Sequence, residues 1–266
     1  MPAPEPVRAF QCGQAKINVF SSAQRLGAAA AETAASLITQ AIQHNGTARI
    51  IAATGNSQIP FVESLVQQPI SWHAVELFHM DEYAGMSAEH PASFRRWIRT
   101  RLAEKVDPKA CYYIAGDAPD LEAEIKRYAE LLMAAPIDLA FVGFGENGHI
   151  AFNDPPVADF NDPLVIKKVA LDEACRRQQA GEGHFPDLAS VPRKAVTITC
   201  PGLFRAKAWV CCVPERRKAR AVKNALEEPV SEACPASLVR THPNAYVNLD
   251  IESASLLTSQ AAVFTS

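Results

Sequence analysis

The chain has 266 residues, 48% hydrophobic and 21% charged, which is enough for a sizeable core and excludes a disordered, fibrous or disulfide-scaffold protein. Its 26 basic side chains against 29 acidic ones leave a net charge of −3. That balance carries no nucleic-acid footprint, so any bound anion must be held by local groups and not by a global field.

Residues 1–9 are proline-bearing and read as a loose lead-in to the fold. Ser21 or Ser22 caps an alanine-rich helix that runs to about His44 and is ended by Asn45-Gly46. Residues 49–53 form a short apolar run read as a buried strand, broken by Thr54-Gly55-Asn56-Ser57 and followed by a helix over 59–66. A strand at 74–79, a helix at 92–104, a short strand at 110–114, a helix at 121–134 and a buried strand at 137–142 follow. The proline-rich stretch 155–163 and the polar stretch 178–192 read as surface segments. Strands at 195–199, 209–213 and 246–249 complete a set of about six or seven, with helices at 215–226 and near Ser237. Short apolar strands alternating with helices predict a single α/β domain, 1–266, whose mostly parallel sheet is covered on both faces.

The seven cysteines include no C-x-x-C pair. They predict reduced thiols in a reducing compartment, with adjacent Cys211 and Cys212 on opposite faces of one strand. The N-terminal residues lack a signal-peptide core and no run reaches membrane-span length. The expectation is a cytoplasmic protein that binds neither membrane nor nucleic acid.

In such sheets ligands bind where strands give way to loops, which singles out residues 54–57, 80–83 and 143–155. The last loop reads Gly143-x-Gly145-x-x-Gly148-His149, literally a dinucleotide fingerprint. Pro155 and Pro156 stop any following helix, and residue 168 is lysine where an acidic residue is needed, so that reading is rejected. The loop instead offers His149 beside Asn147, Asn153 and Asp154. A histidine titrates near neutrality and moves protons, while a neighbouring carboxylate or amide fixes its tautomer. Asp81 and Glu82 are adjacent carboxylates at another strand end, of which one faces the substrate. A carboxylate in a closed pocket is a base for carbon acids; the plain alternative is a capping or salt-bridging pair. His79, Asp81 and His149 make a weak metal set, and neither metal nor organic cofactor is expected. Thr54 to Ser57 form either a phosphate cradle or a capped turn. Arg176 or Arg177, Arg216, Arg217 and Lys218 are candidate anion partners or solvated helix faces.

Together, ATGNSQ, FHMDEYAGMSAEHPASF, GFGENGHIAFNDP and THPNAYV resemble the glucosamine-6-phosphate deaminase (isomerase) family, a relative of the 6-phosphogluconolactonases, over about residues 49–250. The resemblance implies a Rossmann-like three-layer α/β sandwich and conversion of glucosamine 6-phosphate to fructose 6-phosphate and ammonia. It implies Asp81 as the C2–C1 proton carrier, His149 as the ring-opening histidine with Asn147 and Asp154 beside it, and Thr54, Gly55, Asn56, Ser57, Arg176 and Lys218 around the phosphate. Asp154 departs from the usual Glu, so its contact to His149 must be remade by a backbone shift or water. Residues 155–164 carry Asp159 and Asp162 with no Lys or Arg before Lys167, which implies no amino-sugar activation. The partner is a small sugar phosphate, with a homo-oligomer left open. A 6-phosphogluconolactonase, a deaminase of an epimeric amino-sugar phosphate, and a non-catalytic sugar-phosphate sensor are the competing readings.

Overall fold

The computed structural model describes residues 4–181, 183 and 185–258, and among them eleven strands form two sheets. The chain enters through an antiparallel pair, β1 (Arg8–Cys12) and β2 (Ala15–Phe20), then α1 (Ala23–Asn45). Strand β3 (Ala48–Ala52), α2 (Ile59–Leu65), β4 (Val75–His79) and the three-residue β5 (Asp81–Tyr83) follow. Next come α3 (Phe94–Ile98), which runs through a π-turn at Arg99–Ala103 into α4 (Glu104–Val106), then β6 (Ala110–Tyr112) and α5 (Leu121–Met133). The central strand β7 (Leu139–Val142) leads to β8 (Ile166–Ala170), α6 (Glu173–Gly181), β9 (Lys194–Ile198) and α7 (Cys200–Phe204). Strand β10 (Ala208–Val213), α8 (Ala219–Glu227), a 3-10 turn at Pro235–Thr241 and β11 (Ala245–Asp250) complete the fold.

The main sheet has the order β1-β2-β11-β10-β7-β3-β4-β6 and is parallel from β2 to β6. Helices cover both faces, giving the α/β sandwich with a mostly parallel sheet. Strand β3 is buried at all five positions, as a strand sandwiched between helix layers must be. Ile51 packs into a core with Tyr128, Leu132 and Val222, and Ile50 packs into the opposite one with Leu26, Ala34 and Ile38. Cys211 and Cys212 divide between the same two cores, as period-2 geometry requires.

Helix α1 starts where Ser22 accepts the Arg25 N–H and stops at Gly46, at φ +76°. Arg49 pairs with Glu76, its register partner on β4, at 3.1 Å and donates to carbonyls at the end of α5. The buried guanidinium thereby serves as a C-terminal cap for that helix. His242, from the THPNAYV stretch, stacks on Trp209 at 4.9 Å and bonds Ala206 O. Burial holds its pKa below the ordinary value, so it is a neutral core histidine.

The structure corrects several expectations. Residues 8 and 9 are not a loose lead-in but open β1, and Val7 N–H bonds Val19 O; positions 1–3 lie outside the described residues. The run 195–199 is not a strand of the parallel sheet. It is β9, the centre of a separate antiparallel sheet of order β5-β9-β8. The stretch 178–192 begins inside α6, and its positions 182 and 184 lie outside the described residues. The helix expected over 92–104 starts only at Phe94, because Ser93 is its N-cap. Near Ser237 the backbone is a 3-10 turn.

Strands β3 and β7 are neighbours at the centre of the sheet, and the chain winds outward from them to opposite edges. The loops after β3, β4, β7 and β10 meet above that reversal of strand order, where a ligand crevice is expected.

Candidate active site

Four loops and two helices line a cavity there. Its walls include Thr54, Gly55 and Ser57 after β3, Met80 and Asp81 after β4, Gly143 to Gly145 and His149 after β7, and Lys218 after β10. Gly55 sits at φ +97°, a conformation that a side chain resists, and turns the chain from strand into the 3-10 turn Asn56–Gln58. Asn56 begins that turn and does not line the cavity. Gln58 is buried and donates to Cys212 O at 3.1 Å, tying the loop to β10.

Asp81 opens β5, paired with Thr197 of the small sheet. Its carboxylate is buried against the cavity, and Oδ1 has no hydrogen-bond partner among the described residues. Burial, and then the charge of Glu82, raise its pKa well above the ordinary Asp value. Glu82 points the other way, as alternation in a strand demands. It accepts the Ser93 hydroxyl at 2.7 Å and the N–H groups of Tyr83, Phe94 and Arg95, capping α3. Of the adjacent carboxylates, one faces the cavity and the other is structural. His79 is also structural: Nε2 accepts the Ile114 N–H at 2.9 Å, and burial lowers its pKa to about 3. It does not join Asp81 and His149.

His149 is set by the loop that carries it. Asn147 Oδ1 accepts the His149 N–H at 3.1 Å, and Asn147 Nδ2 donates to Asp154 Oδ1 at 2.9 Å. The same Asp154 oxygen lies 2.8 Å from His149 Nδ1, a close contact outside hydrogen-bond angles. An ionised carboxylate only accepts, so Nδ1 carries the hydrogen and Nε2 is the nitrogen available to the cavity. The shorter Asp side chain therefore reaches His149 directly, and no water is needed. Burial raises the Asp154 pKa, but the bonds from His149 and Asn147 outweigh it and hold the carboxyl below its ordinary range. A Cβ on Gly145 would meet the His149 ring at 2.3 Å, so only glycine lets the ring lie there. Ala151, at φ +51°, keeps a non-glycine residue in the left-handed region on the cavity wall. Asn153 Nδ2 bonds Ile150 O and Ile198 O, and Phe152 N–H bonds Thr197 Oγ1. The small sheet thus holds both Asp81 and the His149 loop.

Lys218 is 3% exposed and lines the cavity. The other basic candidates do not. Arg176 donates to the carbonyls of Leu188 and Val191, the latter at 2.9 Å, and is not among the residues lining the cavity. Arg177 pairs with Glu173, Arg216 with Glu252, and Arg217 with Glu215 and Glu146. Sequence reasoning missed Gln178 and Gln179, which α6 brings to the cavity, and Phe94 and Phe152 on its wall. Gln179 Oε1 accepts the Tyr83 hydroxyl at 2.6 Å and Gln178 Oε1 accepts the Glu146 N–H at 3.0 Å. Their polar surroundings gave no signal of a helix aimed at a site.

Among the described residues, one trio has metal-type donors close together: His149, Asp154 and Cys175, within 4.8 Å of one another. The imidazole and carboxylate lie 2.8 Å apart, and burial, then Asp154, push the Cys175 thiol far above its ordinary pKa. Without an ion there, the thiol of this trio is protonated.

The sequence model for glucosamine-6-phosphate isomerases/6-phosphogluconolactonase matches residues 21–247. A glucosamine-6-phosphate deaminase of Lactobacillus delbrueckii subsp. bulgaricus is 33% identical over 242 residues, covering 91% of this chain and 99% of that protein. One from Bacillus thuringiensis is 34% identical over 232 residues, 87% of each chain. The solved structure of a monomeric glucosamine-6-phosphate deaminase superposes with a TM-score of 0.82 at 30% identity, over 90% of this chain and 99% of that one. A 6-phosphogluconolactonase from Shewanella baltica shares the fold, with a TM-score of 0.72 at 18% identity over 88% of this chain and 96% of that one.

Proposed function

The chain belongs to the glucosamine-6-phosphate isomerase/6-phosphogluconolactonase family, and on that premise we propose that it converts glucosamine 6-phosphate and water into fructose 6-phosphate and ammonia within one domain. One observation supports this reading above the others. Asp81, whose buried Oδ1 has no partner among the described residues, and a histidine backed by Asp154 line the same cavity as a buried lysine.

The phosphate is held by Lys218 and the Thr54–Gly55–Ser57 loop, which sets the sugar for reaction. Asn56 shapes the turn. His149 Nε2 passes a proton between the C1 hydroxyl and the ring oxygen as the pyranose opens. Asp154 steadies the imidazolium that forms, and Asn147 keeps both side chains in register. Asp81 then takes the C2 proton. The electrons move onto the C1 carbonyl, whose oxygen takes a proton from the substrate's ammonium to give an enolamine, and return of the C2 proton at C1 leaves an iminium at C2. Water adds to that carbon and ammonia departs. The raised pKa of Asp81 makes it a stronger base than an ordinary carboxylate. Arg176 has no part in the arrangement described; a contact with the phosphate would require it to leave Leu188 and Val191. Lys167 pairs with Asp162 at 2.7 Å, in keeping with a stretch that offers no cation to an amino-sugar activator.

The test is release of ammonia and fructose 6-phosphate from glucosamine 6-phosphate without added metal, beside Asp81→Asn. Stoichiometric release that the variant abolishes is expected. Hydrolysis of 6-phosphogluconolactone without ammonia release, or binding of the phosphosugar without turnover, would overturn the proposal. No helix among the described residues is long and apolar enough to cross a membrane.

A further inference from the structure

Helix α6 leans three side chains toward the site. Gln178 and Gln179 hold the loop and β5, as described. The third, Cys175, is 1% exposed, and the mechanism gives it no role. Its Sγ, the Asp154 carboxylate and a ring nitrogen of His149 lie within 4.8 Å of one another. Asp154 is fully buried, and its two oxygens are unequally served. Oδ1 accepts Asn147 Nδ2 and lies 2.8 Å from His149 Nδ1. Oδ2 is buried with no hydrogen-bond partner among the described residues, and the Cys175 thiol as placed does not bond it. A buried ionised oxygen demands a donor, and the thiol S–H, which rotates freely about Cβ–Sγ, is a donor inside the same cluster.

We propose that Cys175 is a positioning residue: its thiol donates to the Asp154 carboxylate and so holds that carboxylate on His149. The residue stands where α6 docks, so the acid–base pair is complete only with the helix in place. Its part in turnover rests on the deaminase reading; the contact itself does not. Burial, and next the charge of Asp154, keep the thiol protonated, with Asp172 and Asp81 the other acidic groups that act on it. It is therefore a donor and not a nucleophile. The Cys175 thiol is also among the groups that draw the Asp154 carboxyl below its ordinary pKa.

The competing explanation is packing. Cys175 shares an apolar cluster with Tyr83, Phe152 and Val191. Three variants separate the two. Cys175→Ser keeps a donor and loses apolar volume; Cys175→Val keeps volume and loses the donor; Cys175→Ala loses both. The donor role predicts kcat within about threefold of the parent for Ser, and a loss of about tenfold for Val and Ala with KM nearly unchanged. Activity retained by Val and lost by Ser would overturn it.

A second readout needs no turnover. The infrared S–H stretch isolated by subtracting the Cys175→Val spectrum should lie below that of an apolar thiol, and should rise toward it in Asp154→Asn. An apolar-thiol frequency in the parent overturns the contact whatever the activity. A lowered frequency in a protein that releases no ammonia supports the contact and refutes the deaminase reading instead.

Discussion

Asp154→Glu is the sharpest perturbation of this site, because the resemblance implies Glu there and a simple reading makes the change harmless. The geometry argues otherwise. Asp154 Oδ1 already lies 2.8 Å from His149 Nδ1 and 2.9 Å from Asn147 Nδ2. The residue is 0% exposed. An added methylene advances the carboxyl by about 1.5 Å into occupied space. It must displace the His149 ring, which Gly145 confines, or press on the Cys175 side. Misplacement of this order costs about a hundredfold in rate. Overfilling the site costs about 1–3 kcal/mol of stability, a fall of a few degrees in Tm for a chain of this length. The assay is ammonia release at saturating glucosamine 6-phosphate, with thermal unfolding of the same samples. Turnover at or above the parent's with an unchanged Tm would refute the claim that this backbone is set for aspartate. Asp154→Asn, similar in shape but uncharged, separates charge from fit. Replacing one charged hydrogen bond by a neutral one, about 1 kcal/mol, predicts a loss of about fivefold in kcat.

Further outcomes follow from the same geometry. Asp81→Asn abolishes turnover and raises Tm at neutral pH. The native carboxyl has a raised pKa, so the fold binds its proton more tightly than the unfolded chain and loses stability as pH climbs from the ordinary Asp value through the raised one. The gain in Tm must vanish below the ordinary Asp range, and a pH-independent gain would contradict the assignment. Lys218→Met raises KM for the phosphosugar about a hundredfold while leaving kcat within about tenfold, since the lysine anchors a group remote from the reacting carbons; a loss confined to kcat would count against a phosphate role. Ala151→Gly relieves the left-handed backbone at φ +51° and stabilises by up to about 1 kcal/mol in denaturant unfolding. Destabilisation by that change would show that no strain resides there.

How much was legible in the sequence follows from what each signal depends on. Local chemistry fixes the ends of α1, where Ser22 caps and Gly46 terminates, and the burial of β3 and β7 follows from unbroken apolar runs. Strand-to-loop transitions likewise pointed to Asp81, His149 and the 54–57 loop, because in a parallel sheet loops after strands gather at one edge. Period-2 geometry foretold that only one of Asp81 and Glu82 would face the ligand. Other features needed partners far away in the chain. Strand β5 is three residues long and exists because β9, more than a hundred positions later, pairs with it; no local pattern encodes that. Strand β9 reads as one more buried strand until its neighbours show that it belongs to the small antiparallel sheet. The resemblance offered both Arg176 and Lys218 as phosphate contacts, and only packing turned one to backbone carbonyls and buried the other on the cavity wall. Cys175 looked like any reduced thiol until α6 brought it to Asp154. A sequence specifies which groups exist and their local backbone preferences, whereas desolvation, pairing and proton affinity belong to contacts among distant residues, and only the folded chain sets those.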